Sequence, residues 1–123
     1  MDFSPTEAQA DLTALTREIL ADRVTPERLR TLEDGPDRFD RELWTALAEA
    51  GVLSAALPES VGGSGFGLLE QCSVLAEIGR AVAPVPYLAS IVLGASTVAR
   101  FGSSAAVRRW AAPAAAGRLV LTA

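Results

Sequence analysis

Apolar residues recur at three- and four-residue spacing through most of the chain, and prolines and glycines cut that rhythm into segments. Ala8, Leu12, Leu15 and Ile19 mark a first helix. Ser4, Pro5 and Glu7 precede this run as a Ser-x-x-Glu capping box with proline at the first helical position. Pro26 ends this helix near Arg23 or Val24, and Thr25-Pro26 opens a short second one through Leu32. Asp34-Gly35-Pro36 closes it. Asp40 caps a third helix, with Phe39 and Trp44 at the two positions of a hydrophobic staple. Leu43, Leu47 and Ala50 continue its apolar face as far as Gly51.

Leu57-Pro58-Glu59-Ser60-Val61-Gly62-Gly63-Ser64-Gly65-Phe66-Gly67 interrupts the helical rhythm. A flexible linker seldom puts Leu, Val and Phe among its glycines, so this stretch reads as a structured connection between two helices. No strand precedes it and no Lys-Ser/Thr follows, which argues against a phosphate-binding loop. Beyond it, Leu68, Cys72, Leu75, Gly79 and Val82 trace one stripe of a fourth helix, expected to face the core. Glu70, Ser73, Glu77 and Arg80 trace another, expected to face solvent.

Pro86 opens a helix reaching Phe101 that is apolar almost all round and is expected to be the most buried element. Its neighbourhood, Ala81 to Ala99, carries no charge and is long enough to be weighed as a membrane span. Pro84, Pro86, Ser90, Gly94, Ser96 and Thr97 dilute it, so a buried helix of a bundle is the reading adopted. Ser104 is expected to cap a last helix holding Arg108, Arg109 and Trp110. Arg118 to Thr122 then has the residue types of a strand, with no partner strand elsewhere in the chain. The fold class is therefore all-α, an up-and-down bundle of about five to six helices over residues 1–117. Residues 118–123 are expected to begin the first strand of a middle β-domain.

Composition narrows the chemistry. The 123 residues suit one domain and hold no His and one Cys, Cys72. That removes the commonest general base and any zinc site. A lone cysteine on an apolar stripe reads as a buried thiol in a reducing, cytoplasmic setting. Net charge is −4, which argues against a nucleic-acid surface. No catalytic constellation is visible within the chain.

The ordered set Gly51-Val52-Leu53, Leu57-Pro58-Glu59, Gly62-Gly63-Ser64-Gly65 and Glu77-Ile78-Gly79-Arg80 resembles the N-terminal helical domain of the flavin-dependent acyl-CoA dehydrogenases. The resemblance runs from Phe3 to the last residue and covers about the first third of a family member. It implies FAD as cofactor, an acyl-CoA thioester as substrate and oxidation of the α,β carbon–carbon bond. It also implies a homo- or hetero-oligomer, and an electron-transfer flavoprotein or similar acceptor. The family's catalytic Glu belongs to a C-terminal domain, so no catalytic residue is assigned.

The same resemblance maps two regions. The family's first strand typically ends hydrophobic-Thr-Glu-Pro and touches the flavin near the Thr. Leu121 and Thr122 match the first two positions, and Ala123 replaces the Glu. Against the family pattern, that departure implies a divergent or specialised subunit, such as one of a heteromeric pair with only some flavin sites intact. The start of the 86–101 helix corresponds to a turn lining the acyl cavity, which places Tyr87 and Ser90 there. Plain core packing, with Ser90 bonding back to its own helix, is the simpler account of Ser90, and Tyr87 suits either role. A non-catalytic interaction module or inactive partner subunit with the same fold is the competing function.

Overall fold

The computed structural model describes residues 1–122 and folds them into helices joined by short connections. Helix α1 spans Glu7–Arg23, α2 Pro26–Asp34, α3 Arg41–Glu49 and α4 Leu68–Ala81. Helix α5 runs over 88–101, beginning as a π-helix at Leu88–Ala95 and continuing as an α-helix at Ser96–Phe101. Helix α6 runs over 104–115, with a π-helical middle at Val107–Ala111. No strand is formed among the described residues. Residues 118–122 lack the second strand that a ladder requires, and their backbone lies against α5 instead. Ala123, where the sequence departs from the family's Glu, lies outside the described residues.

The caps follow the expected logic with shifts at two helices. Thr6, not Ser4, caps α1. Its hydroxyl accepts the Gln9 N–H at 3.2 Å, and the Gln9 side-chain oxygen accepts the Thr6 N–H at 2.9 Å. Thr-x-x-Gln supplies the same reciprocal box two residues later, and Ser4 instead donates its amide to Asp2 at 2.8 Å. Likewise Ser103, not Ser104, caps α6 through the Ala106 amide at 3.2 Å. Asp40 caps α3 as expected, accepting from the Leu43 N–H at 3.1 Å. The staple is formed, with Phe39 and Trp44 packed edge-to-face at 6.1 Å between centroids.

The core gathers Leu20 from α1, Leu43, Trp44 and Leu47 from α3, and Val52, Leu53 and Leu57 from the connection after it. Val74 and Ile78 of α4, Ile91 and Ala95 of α5, and Ala111, Ala114 and Ala115 of α6 complete it. Each fully buried leucine contributes about 1.5–3 kcal/mol of transfer free energy. The glycine-rich stretch is the structured connection the sequence predicts. Gly65 and Phe66 donate their amides to the Leu57 and Ala55 carbonyls at 2.9 and 3.1 Å. Gly63 lies so close to the Leu57 carbonyl that any side chain there would overlap it.

Helix α4 departs most from expectation. Leu68 and Val82 are 69% and 70% exposed, and Cys72 is exposed rather than buried. The buried face is Gln71, Val74, Glu77 and Ile78, rotated from the expected stripe. Leu75 is half-buried and packs against the core from its edge. The two polar members of that face are satisfied from other helices. Gln71 donates to the Ser96 hydroxyl at 2.9 Å, and Glu77 receives two hydrogen bonds from Arg17. At the helix end Val82 takes a left-handed conformation, φ 53°, a costly choice for a β-branched residue. The Ala83 amide, reaching back to the Ile78 carbonyl at 3.0 Å, holds the turn.

Helix α5 buries one face only. Tyr87, Ser90, Ile91 and Ala95 are inside, while Leu88, Leu93 and Phe101 are half or more exposed. No helix among the described residues is long and apolar enough to cross a membrane.

Candidate functional site

The residues singled out from the sequence fall at two ends of one junction, where the 118–122 segment meets the π-helical start of α5. Ser90 is fully buried, and its hydroxyl accepts the Leu121 amide at 3.0 Å. The expected back-bond from Ser90 to its own helix is not made. The Ser90 backbone N–H reaches the Pro86 carbonyl at 2.9 Å, leaving the hydroxyl for the incoming segment. Leu121 packs against the core beside Val120, and Thr122 is exposed.

Gly94, one turn beyond Ser90, makes this approach possible. A Cβ built on it would stand 2.8 Å from the Leu121 Cβ and 3.1 Å from the Ala89 carbonyl oxygen. Sequence reasoning passed over Gly94 as a residue that merely dilutes an apolar helix. The usable signal was an isolated glycine inside a helical pattern, which marks a close approach of another segment. The π-helical turns are a second mark with no sequence signature. Such widened turns are rare and concentrate at functional sites.

Tyr87 stands at the entrance to the π-helix, 1% exposed, and its hydroxyl has no hydrogen-bond partner among the described residues. A buried, unpaired hydroxyl is costly in a finished core and therefore asks for an explanation. Burial, aided by nearby Cys72, pushes the phenol well above its usual range, so Tyr87 stays neutral at physiological pH. The structure thus brings Ser90 and Leu121 into contact and sets Tyr87 one turn before Ser90.

A separate groove lies elsewhere. It has a volume of about 900 Å³ and is lined by residues of the N-terminal segment, α1 and α4, among them Ala10, Thr13, Ala14, Leu69, Cys72 and Ala76. Tyr87, Ser90, Leu121 and Thr122 do not line it. Asp40 forms a separate polar knot. Its two carboxylate oxygens receive Arg28 at 3.0 and 3.1 Å. Burial alone would raise its pKa, but the Arg28 and Leu43 hydrogen bonds outweigh that and hold it below the usual carboxylate range. No cluster of three metal-ligating side chains occurs among the described residues.

Residues 6–118 match the family model for the acyl-CoA dehydrogenase N-terminal domain. The chain belongs to the acyl-CoA dehydrogenase family. It is 50% identical over 122 residues to the Mycobacterium tuberculosis acyl-CoA dehydrogenase FadE27, an alignment covering 99% of this chain and 33% of that protein. It superposes with TM-score 0.95 and 50% identity on a chain of the ChsE4–ChsE5 complex from Mycobacterium tuberculosis, covering 99% of this chain and 34% of the other. A variant of the Tcur3481–Tcur3483 steroid acyl-CoA dehydrogenase matches with TM-score 0.89 and 40% identity, over 94% of this chain and 32% of that one. The chain therefore spans about a third of the length of the acyl-CoA dehydrogenases it matches.

The junction can be tested against the flavin that the family implies. The fit is one-sided. Thr122 presents an exposed hydroxyl at the end of an anchored segment, a donor and acceptor suited to the polar edge of a flavin ring. Leu121 has already given its amide to Ser90 and would meet the ring only through its carbonyl or side chain.

Proposed function

We propose that this chain is the N-terminal helical domain, residues 1–117, of a flavin-dependent enzyme that α,β-dehydrogenates the CoA thioester of a bulky, polycyclic acyl group, working as one subunit of a heteromeric assembly. The observation that carries the reading is the near-complete superposition on a chain of a two-protein complex, ChsE4–ChsE5, at TM-score 0.95. The likeness to a steroid acyl-CoA dehydrogenase at 40% identity supports the bulky acyl group.

In this reading the helices shape and dry the acyl end of the site. Tyr87 and Ser90 sit at the start of α5, where a mainly apolar wall with few polar groups suits an acyl chain. The unpaired Tyr87 hydroxyl supports a role beyond packing. Residues 118–123 begin the next domain, with Leu121 and Thr122 at the flavin edge. FAD, when bound, would accept the β hydrogen as hydride. The base that removes the α proton lies outside these residues. An electron-transfer flavoprotein or similar carrier would accept the electrons.

A second reading, an inactive partner subunit, draws support from Ala123 standing where the family usually has Glu. Anaerobic addition of a steroid-type acyl-CoA to the full-length protein purified with its partner separates the two. Bleaching of the flavin, with one FAD per copy of this subunit, supports the enzyme. FAD bound only by the other subunit supports the inactive partner, and a flavin that no acyl-CoA reduces removes the dehydrogenase reading.

A further inference from the structure

We propose that Ser90 and Gly94 form a latch that sets how the 118–122 segment leaves the helical domain, making Ser90 a positioning residue for Thr122. The inference rests on the flavin reading of Thr122 given above and adds to it the means by which that residue is aimed.

A segment outside any helix or sheet has no hydrogen-bond ladder to fix its register. Between residues 119 and 122 the Leu121 amide alone donates a hydrogen bond among the described residues, and its acceptor is the fully buried Ser90 hydroxyl. A helical serine ordinarily satisfies itself on the preceding turn, and Ser90 does not. Gly94 supplies the second half of the latch by exclusion. A methyl group there would meet the Leu121 Cβ, an atom that cannot swing aside without moving the backbone. Hydrogen bond and close approach act on the same residue from successive turns of the π-helix.

The consequence for Thr122 follows from its place next to the anchor. Val120 and Leu121 both pack against the core, and Thr122, the next residue, is exposed. The helix that carries Tyr87 and the residue that would meet the flavin thus share one rigid joint. A substitution at the joint would be felt at the flavin without touching it.

Two measurements on the same variants test this. In the 123-residue protein, amide hydrogen exchange at Leu121 should be at least about tenfold slower than at Val120 and Thr122, and Ser90→Ala should abolish that difference. Gly94→Ala should do the same while leaving the Ser90 hydroxyl in place. In the full-length protein, Ser90→Ala should raise the FAD dissociation constant about tenfold and shift the flavin absorbance, with the helical circular dichroism of the FAD-free protein unchanged. An unprotected Leu121 amide in the wild type, or protection that survives both substitutions, overturns the latch. Lost protection with unchanged FAD affinity and spectrum overturns the positioning role and leaves a structural contact only. A wild-type full-length protein that binds no FAD overturns the flavin reading and the positioning role together, while the exchange data still report on the latch.

Discussion

Arg17 reaches across from α1 to grip the Glu77 carboxylate of α4 with two hydrogen bonds, 2.7 Å from Nη2 and 3.0 Å from Nε. Glu77 is only 4% exposed at its side chain, whereas Arg17 is 56% exposed. The pair joins the two helices that pack most extensively on each other. The Arg17 hydrogen bonds lower the Glu77 pKa against the opposing effect of burial.

Acid stability follows from this pair and from Asp40. Both carboxylates have folded pKa values below their unfolded ones. Their contribution is therefore complete above the unfolded values, near pH 4, and is lost as pH falls through the folded values. With no histidine in the chain, stability should be flat between about pH 6 and pH 8 and should fall below about pH 4. Asp40→Asn and Glu77→Gln should each flatten the acid limb. Urea unfolding at several pH values measures this, and an acid limb unchanged in the double variant would contradict it.

The orientation of α4 predicts an ordering of substitutions. Ile78→Ala should cost about 2–4 kcal/mol as a buried large-to-small change. Leu75→Ala, at the half-buried edge, should cost about 1–2 kcal/mol, and Leu68→Ala should fall within about 0.5 kcal/mol of wild type. Thermal or urea unfolding ranks them, and Leu68→Ala costing more than Ile78→Ala would restore the stripe read from the sequence.

That stripe shows where sequence reasoning stopped. Most helix ends, the Asp40 cap, the staple and the structured glycine connection were legible because local chemistry decides them, while the caps of α1 and α6 fell at Thr6 and Ser103 instead of Ser4 and Ser104. The buried face of α4 was not. It contains Gln71 and Glu77, whose partners Ser96 and Arg17 lie 25 and 60 residues away. Local periodicity assigned the face by apolar count and could not register polar groups satisfied at long range. For the candidate site, the sequence supplied residues but not contacts. Tyr87, Ser90, Leu121 and Thr122 came from a family resemblance, but the contact between Ser90 and Leu121 and the need for Gly94 depend on a tertiary approach that no spacing encodes.

Two backbone positions should respond in opposite directions. Gly63→Ala forces a methyl group into the Leu57 carbonyl and should cost about 2 kcal/mol or more. Val82→Asn replaces a β-branched residue in the left-handed region, at a site 70% exposed, and should gain about 0.5–1 kcal/mol. A calorimetric melt of each variant checks the signs, and a stabilising Gly63→Ala would mean the connection is not packed as described.

The 123-residue protein should purify without stoichiometric FAD. The junction offers one exposed threonine hydroxyl and one anchored segment, too little surface to retain a dinucleotide. Flavin absorbance after gel filtration reads this directly, and a yellow protein with one flavin per chain would contradict it.

Whether the start of α5 takes part in acyl recognition is decided by the specificity constants of full-length Tyr87→Ala and Tyr87→Phe variants across an acyl-CoA series. Tyr87→Ala should change the ratio of kcat/KM between polycyclic and short straight-chain acyl-CoA by about tenfold or more, with the best short substrate little affected. Tyr87→Phe, which removes only the unpaired hydroxyl, should keep full stability and shift the ratio less. A uniform loss across the whole series, tracking a lowered melting temperature, would leave Tyr87 a packing residue with no part in acyl recognition.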